Sequence, residues 1–234
     1  MTTLAEIWLQ KISIAAGILL FALGAVYCSR ISFFSNVLGY GNVFTSFPLF
    51  EQHFWQFCIS FAAIIFLSRG HLWSFGINSK NLNRSMVYLF VLYFAAMVFN
   101  LLLTACGIRI PEMPADRWSI CTAAGQMVIF WMSSPIANSI LFFGLVQTAL
   151  LKYVDSSFKI LTIPVSVYLS AAVYSFMLPM TQTVTPFMST YGVTFIVGLY
   201  SGIVYWKTGS LITPMLGQAF WFGFPVFLKI LPLF

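Results

Sequence analysis

Long stretches with almost no charge recur along this sequence, and they set the strongest limit on what it can fold into. Only 7% of its 234 residues are charged and 60% are hydrophobic, whereas a soluble domain carries about 25% charged residues. A soluble fold of this length has too little interior to cover so much apolar surface. The sequence therefore predicts a protein that is surrounded by the lipid bilayer.

The apolar stretches are long enough to cross a membrane, since a spanning helix needs about 20 mostly apolar residues. Seven qualify, at roughly 9–28, 53–68, 86–106, 119–152, 159–178, 189–206 and 210–231. The fourth is too long for one straight crossing, so either Pro135 bends it or it forms two helices, which would make eight. We therefore predict an all-α, polytopic membrane helix bundle of about seven transmembrane helices.

The charged residues stand singly in short loops, which is typical of topology signals and not of a nucleic-acid-binding patch. The net charge of +6 comes from 11 Lys and Arg against 5 Asp and Glu. With seven crossings, one side receives Lys11, Arg69, Lys80, Arg84, Lys152, Lys159 and Lys207, and the other receives Arg30, Arg109, Arg117 and Lys229. The larger group predicts a cytoplasmic N-terminus in a plasma or inner membrane.

One of these loops, residues 68–85, mixes aromatic and cationic side chains. Trp73 and Phe75 are followed by Lys80 and Arg84. This pattern fits a segment that lies in the membrane interface with its rings at headgroup depth. A plain connecting loop explains it as well.

The second half of the chain contains three motifs in a characteristic order. They are "PIANSILFFGL" (135–145), "SAAVYSFML" (170–178) and "FIVGLYSGIVYWKTGSLITPMLGQAFWF" (195–222). Together they resemble the three motifs of the CPBP family, the CAAX-protease and bacteriocin-processing intramembrane proteins, also called Abi proteins. The resemblance implies two parts, N-terminal transmembrane helices over 1–118 and a CPBP-like core over 119–234.

The family's chemistry is metal-assisted peptide hydrolysis inside the membrane, which requires His or carboxylate ligands and a carboxylate base. The resemblance implies that this sequence has other residues at the family's catalytic positions. The paired glutamates correspond to Asn138 and Ser139, the arginine to Phe143, the second-motif histidine to Leu178, and the last histidine and asparagine to Gln218 and Phe222.

No replacement for these groups is evident in the sequence. From Ser156 to the C-terminus it has no Asp, Glu or His, and its only histidines are His53 and His71. Amide and hydroxyl side chains are poor zinc ligands and poor bases. We therefore predict no catalytic residues, no bound metal and no cofactor. Asn138, Ser139 and Gln218 either make interhelical hydrogen bonds or line a former active-site cavity that holds a peptide or a lipid headgroup.

These observations favour a non-catalytic membrane protein with a CPBP-like core. Its predicted partners are the bilayer and another integral membrane protein, for which it acts as scaffold, assembly factor or regulatory partner. One alternative is an active intramembrane metal-dependent endopeptidase of CAAX type with an unrecognised site. A second alternative is a small transporter or lipid-binding protein, although few intramembrane charges disfavour proton-coupled transport.

Overall fold

Helices account for most of the chain in this computed structural model, which describes residues 4–29, 48–105, 133–154, 158–181 and 188–219. Six helices are α1 (Leu4–Ser29), α2 (Pro48–Ser68), α3 (Leu82–Ala105), α4 (Ser134–Val154), α5 (Val165–Thr181) and α6 (Met188–Thr208). A seventh, α7, covers residues 212–219. The helical architecture predicted from the sequence is confirmed.

The predicted number of membrane crossings is not established. Within the described ranges, two helices are long and apolar enough to cross a membrane, Ala5–Ser29 and Ser134–Val154, and Val165–Met177 is a shorter apolar helix. Residues 106–132 lie outside the described part of the chain. The count of seven or eight, the bend before Pro135 and the division after residue 118 therefore stay predictions.

A small β-hairpin corrects the predicted fifth span. Strands β1 (Lys159–Ile160) and β2 (Ile163–Pro164) pair antiparallel through a turn at Leu161 and Thr162. Both turn residues have positive φ, 49° and 70°, as a tight hairpin turn requires. Because Pro164 disfavours helical backbone at Ile163, α5 begins at Val165 and not near residue 159.

Helix α4 is the central element of the described bundle. Every residue from Ser139 to Gln147 is buried, and α4 packs against α1, α2, α5 and α6. Its hydrogen bonding is π-helical over Ser139–Gln147 and again over Leu150–Val154. A π-helix is wider than an α-helix and is found mostly in short runs, often at functional sites.

Helices α2 and α4 run parallel to each other. The Gln56 side chain of α2 is hydrogen-bonded to Asn138 of α4. Two turns later on α2, Ile64 approaches Gly144, where an added Cβ would lie 3.6 Å from Ile64 Cδ1. Contacts that advance in the same direction on both helices require parallel axes, so the C-terminal ends of α2 and α4 lie at the same end of the bundle.

At that end, the segment after α2 is hydrogen-bonded to the turn after α6. Asn78 Nδ2 donates to Gly209 O at 2.9 Å, and Asn81 Nδ2 donates to Thr208 O at 2.9 Å. In return, Ser210 Oγ donates to Asn78 O at 2.7 Å. The "TGSL" turn of the third motif thus has a structural role, because it fixes the 76–81 segment on the bundle.

The two aromatic residues of the 68–85 loop, Trp73 and Phe75, differ in their solvent exposure. Trp73, in the 3₁₀ helix Leu72–Phe75, is exposed, as the interfacial interpretation requires. Phe75 is fully buried in the hydrophobic core and does not share the exposure of Trp73. The depth of its ring in the membrane stays a prediction. The chain turns inward at Gly76, where φ is 81°. Because Gly76 has no side chain, its backbone can lie close to the Tyr205 ring.

Candidate functional site

The first-motif pair lies in the most buried part of the described bundle. Asn138 ends the α-helical part of α4, and Ser139 begins its π-helical part. Both side chains have zero solvent exposure. Their environment is therefore decided by the helices that pack on this point of α4.

Asn138 is held by two neutral hydrogen bonds. Gln56 Nε2 of α2 donates to Asn138 Oδ1 at 2.9 Å, and Asn138 Nδ2 donates to Ser134 Oγ at 3.1 Å, one turn earlier on α4. Gln56 is itself fully buried. An interhelical bond of this type contributes about 0.6–2 kcal/mol in a membrane protein. The interhelical hydrogen bonding predicted for Asn138 is confirmed.

Ser139 differs from its neighbour because its Oγ has no hydrogen-bond partner within the described ranges. A buried hydroxyl without a partner costs about 1–3 kcal/mol. A reactive serine needs an adjacent general base, and no described residue is hydrogen-bonded to Ser139 Oγ as such a base would be. The predicted interhelical hydrogen bond of Ser139 is not found among the described side chains.

Phe143 takes part in an aromatic cluster between α4 and α5. Its ring centroid lies 5.7 Å from that of Tyr174, and the Phe142 and Tyr174 centroids are 5.3 Å apart at 80°. All three side chains are fully buried. Tyr174 is the aromatic residue of the second motif, so the first two motifs meet through ring contacts. These hydrophobic contacts occupy the place where the family resemblance expects an arginine.

The remaining predicted positions are described only in part. Gln218 of α7 is fully buried, and neither its Nε2 nor its Oε1 has a partner among the residues that the structure covers. Leu178 lies in α5, and nothing is described of its side chain. Phe222 is outside the described ranges. We predict that Asn138, Ser139, Leu178 and Gln218 converge on one intramembrane pocket, and this stays a prediction.

Helix α2 supplies a residue that sequence reasoning missed, Gln56. Gln56 contacts Asn138 directly, and His53 lies one helical turn before Gln56 with 2% of its surface exposed. Neither His53 Nδ1 nor Gln56 Oε1 has a partner within the described chain. The signal was the spacing of His53, Gln56 and Ser60, since residues three and four apart share one helix face. That polar stripe in an apolar helix predicts a buried contact.

The side chains at this site do not fit the metal that the family resemblance implies. Within the described ranges, no three His, Cys, Asp or Glu side chains are close enough to hold one metal ion. Asn138 Oδ1 already accepts a hydrogen bond from Gln56. A zinc site needs about four such ligands, or three and a water. No metal-dependent step can be assigned to these residues.

A second polar contact joins α4 to the glycine-rich part of α6. Gln147 Nε2 donates to Gly202 O at 2.8 Å, and Ser170 Oγ of α5 donates to Gln147 Oε1 at 3.0 Å. A Cβ at Gly202 would lie 2.8 Å from Gln147 Oε1, and one at Gly198 would lie 2.7 Å from Tyr174 Cδ1. The third-motif glycines are thus needed for close packing of three helices.

The bundle, its buried first motif and the glycine-rich α6 agree with a helical protein similar to the CAAX-protease type over its second half. Residues 121–224 match the model of a family described as Type II CAAX prenyl endopeptidase Rce1-like. This segment of the chain is therefore Rce1-like, and the family resemblance carried by the three motifs is confirmed. Comparison with curated proteins and with solved structures gave no match.

Proposed function

We propose that the protein is a non-catalytic member of this membrane family that binds another integral membrane protein, as a scaffold, assembly factor or regulatory partner. The observation that carries the proposal is the Gln56–Asn138 hydrogen bond. The family resemblance aligns Asn138 with a catalytic glutamate. Here that position is an uncharged amide, closed by a second uncharged amide from α2.

Peptide hydrolysis by the family's route needs a group that takes a proton from water. An amide oxygen is a very weak base, and Asn138 Oδ1 already accepts a hydrogen bond from Gln56. A side chain that acts as general base contributes about 10²–10⁴ in rate. An uncharged amide pair instead avoids the cost of an unpaired carboxylate in the membrane. The arrangement supports a stable packing contact.

A binding function can be tested by purifying the tagged full-length protein in a mild detergent. We expect one membrane protein to co-purify in stoichiometric amount and to remain with Asn138→Ala. The matched control is Ala95→Trp, which places a bulky side chain on an exposed position of α3. Loss of the partner with Ala95→Trp and not with Asn138→Ala would support a surface contact. No stoichiometric partner in any preparation would contradict the proposal.

A second candidate function is an endopeptidase that uses His53. The observation in its favour is that this buried imidazole lies one turn from Gln56, the partner of Asn138. Cleavage of a CAAX-type peptide by the purified protein, lost in His53→Ala and kept in His71→Ala, would establish it. His71 is a suitable control because it is exposed, after the end of α2. Absence of cleavage by the wild-type protein would contradict the endopeptidase function, and the binding function would remain.

For orientation, we propose a plasma or inner membrane with the cationic end of the bundle in the cytoplasm. Support comes from the hydrogen bonds between the 76–81 segment and the 208–211 turn. They bring the loops of Arg69, Lys80 and Lys207 to one end, as the positive-inside rule expects for cytoplasmic loops. A Lys80→Cys variant that reacts with an impermeant thiol reagent in intact cells would contradict this orientation.

A further inference from the structure

An apolar groove lies on the outside of the bundle, between α1, α2 and α4. Its volume is about 760 Å³, and its lining includes Gly17, Ile18, Ala62, Ala63, Leu67 and Ala149. Four of these six residues have no side chain larger than a methyl group. The groove is therefore a space that the helices themselves leave unfilled.

The groove is open to the surroundings of the bundle. A Cβ added at Gly17 would have no heavy atom within 4 Å. At the rim, Phe66 is 83% exposed and Phe21 is 43% exposed. An apolar void without contacting atoms forfeits dispersion energy, so in a bilayer the groove will hold hydrocarbon. The available hydrocarbon is the acyl chain of a lipid.

Two cations follow groove-lining residues at the C-terminal ends of α2 and α4, and Lys11 of α1 precedes groove-lining Ile14 by three residues. Arg69 follows groove-lining Leu67 by two residues, and Lys152 follows groove-lining Ala149 by three. Because α2 and α4 run parallel, both cations lie at one end of the bundle, and both are exposed. Glu51 is at the opposite end of α2, about 27 Å away along the helix. Asp155 follows Lys152 in the sequence and is outside the described residues.

We propose that the groove binds an acyl chain of an anionic phospholipid, with its phosphate headgroup at Arg69 and Lys152. The apolar part gives little selectivity, since lipid hydrocarbon is as apolar as the groove. Selectivity for an anionic headgroup comes from the two cations, each of which changes the affinity about fivefold near a membrane surface. This binding does not depend on whether the protein is catalytic.

The acyl-chain part is tested with two substitutions in α1. Gly17→Leu puts a side chain into the groove, whereas Gly24→Leu puts the same side chain into open space outside it. Both replace a helical glycine, which favours the helix equally. With dioleoylphosphatidylglycerol added to the detergent-purified protein, native mass spectrometry should detect a one-to-one adduct. The adduct should be lost in Gly17→Leu and kept in Gly24→Leu.

The headgroup part is tested with Arg69→Gln and Lys152→Gln. Each should weaken phosphatidylglycerol binding about fivefold and leave dioleoylphosphatidylcholine binding unchanged. Lys80→Gln is the control, since no groove-lining residue adjoins Lys80 in the sequence. Equal binding of the two lipids by the wild-type protein would overturn the proposal. So would equal effects of Gly17→Leu and Gly24→Leu, or a wild-type dimer that Gly17→Leu dissociates, which would make a second copy the occupant.

Discussion

Gln56 Nε2 donates a 2.9 Å hydrogen bond to Asn138 Oδ1, joining two fully buried amides that are 82 residues apart in the chain. The bond sets α2 against the first motif of α4. It also gives the Asn138 oxygen a neutral hydrogen-bond donor. A position that the family resemblance aligns with a catalytic acid therefore acts here in helix packing.

Removal of one partner of this pair should cost more than removal of both. Asn138→Leu leaves Gln56 Nε2 without an acceptor, and we expect a loss of about 1–3 kcal/mol in the free energy of unfolding. The double variant Gln56→Leu/Asn138→Leu should recover part of that loss, with a coupling energy of about 0.6–2 kcal/mol. Reversible unfolding in mixed detergent micelles measures both quantities.

The control for that cycle is the pair Asn138 and Gln147, which lie on the same helix and bond to different partners. Their coupling energy should be near zero, since sites without shared partners act additively. A coupling for Gln56 and Asn138 no larger than this control would show that their hydrogen bond adds nothing to stability.

The purified protein should hold no stoichiometric zinc. The physical reason is the ligand set, because Asn138 is tied to uncharged groups and Gln218 offers an amide where a zinc site needs His or carboxylate. Elemental analysis of protein purified without chelator measures the metal content directly. About one zinc per chain, lost on substituting Asn138 or Gln218, would contradict the prediction.

The cellular role should survive removal of either amide. Asn138→Ala removes about 1 kcal/mol of hydrogen bonding, against a typical stability of about 5–15 kcal/mol. Gln218→Ala removes an amide that has no hydrogen-bond partner among the described residues, so it should cost no more. Complementation of a deletion strain, with expression checked, measures the outcome. The bulky Ala95→Trp on the exposed face of α3 should disrupt the role. A well-expressed Asn138→Ala protein as inactive as the deletion would refute the scaffold interpretation.

Close packing at α6 should make Gly202 intolerant of even one methyl group. Gly202→Ala places a Cβ 2.8 Å from Gln147 Oε1 and 3.1 Å from Val167 Cγ1, and we expect a destabilisation of about 1–3 kcal/mol. Gly192→Ala in the same helix meets open space. It should instead stabilise the helix by about 0.5–1 kcal/mol. The measurement is the midpoint of thermal unfolding of the two variants in the same detergent. Equal midpoints would mean that Gly202 and Gln147 are not in close contact.

The helices and the family resemblance of residues 121–224 could be predicted from the sequence because both depend on local patterns. Long apolar stretches predict helices. The motif around Pro135 can be recognised from the order of its residues alone, without knowledge of the helices that pack against it. Helix boundaries are harder to predict where a backbone restriction, such as that of a proline, falls within an apolar stretch. Pro164 holds Ile163 in extended backbone, so a hairpin replaces the start of the predicted fifth span. The burial of Phe75, next to exposed Trp73, likewise depended on a core that no local pattern describes.

The sequence by itself determined that the chain is made of membrane-type helices and that uncharged residues, Asn138 and Gln218, stand at motif positions. Those properties follow from residue type and spacing alone. Only the tertiary structure decided that Gln56 lies beside the first motif, and that α4 is π-helical over Ser139–Gln147, where it is buried. The reason is physical: contacts between residues 82 apart are chosen by how whole helices pack against one another, and a helix widens only where its neighbours leave room.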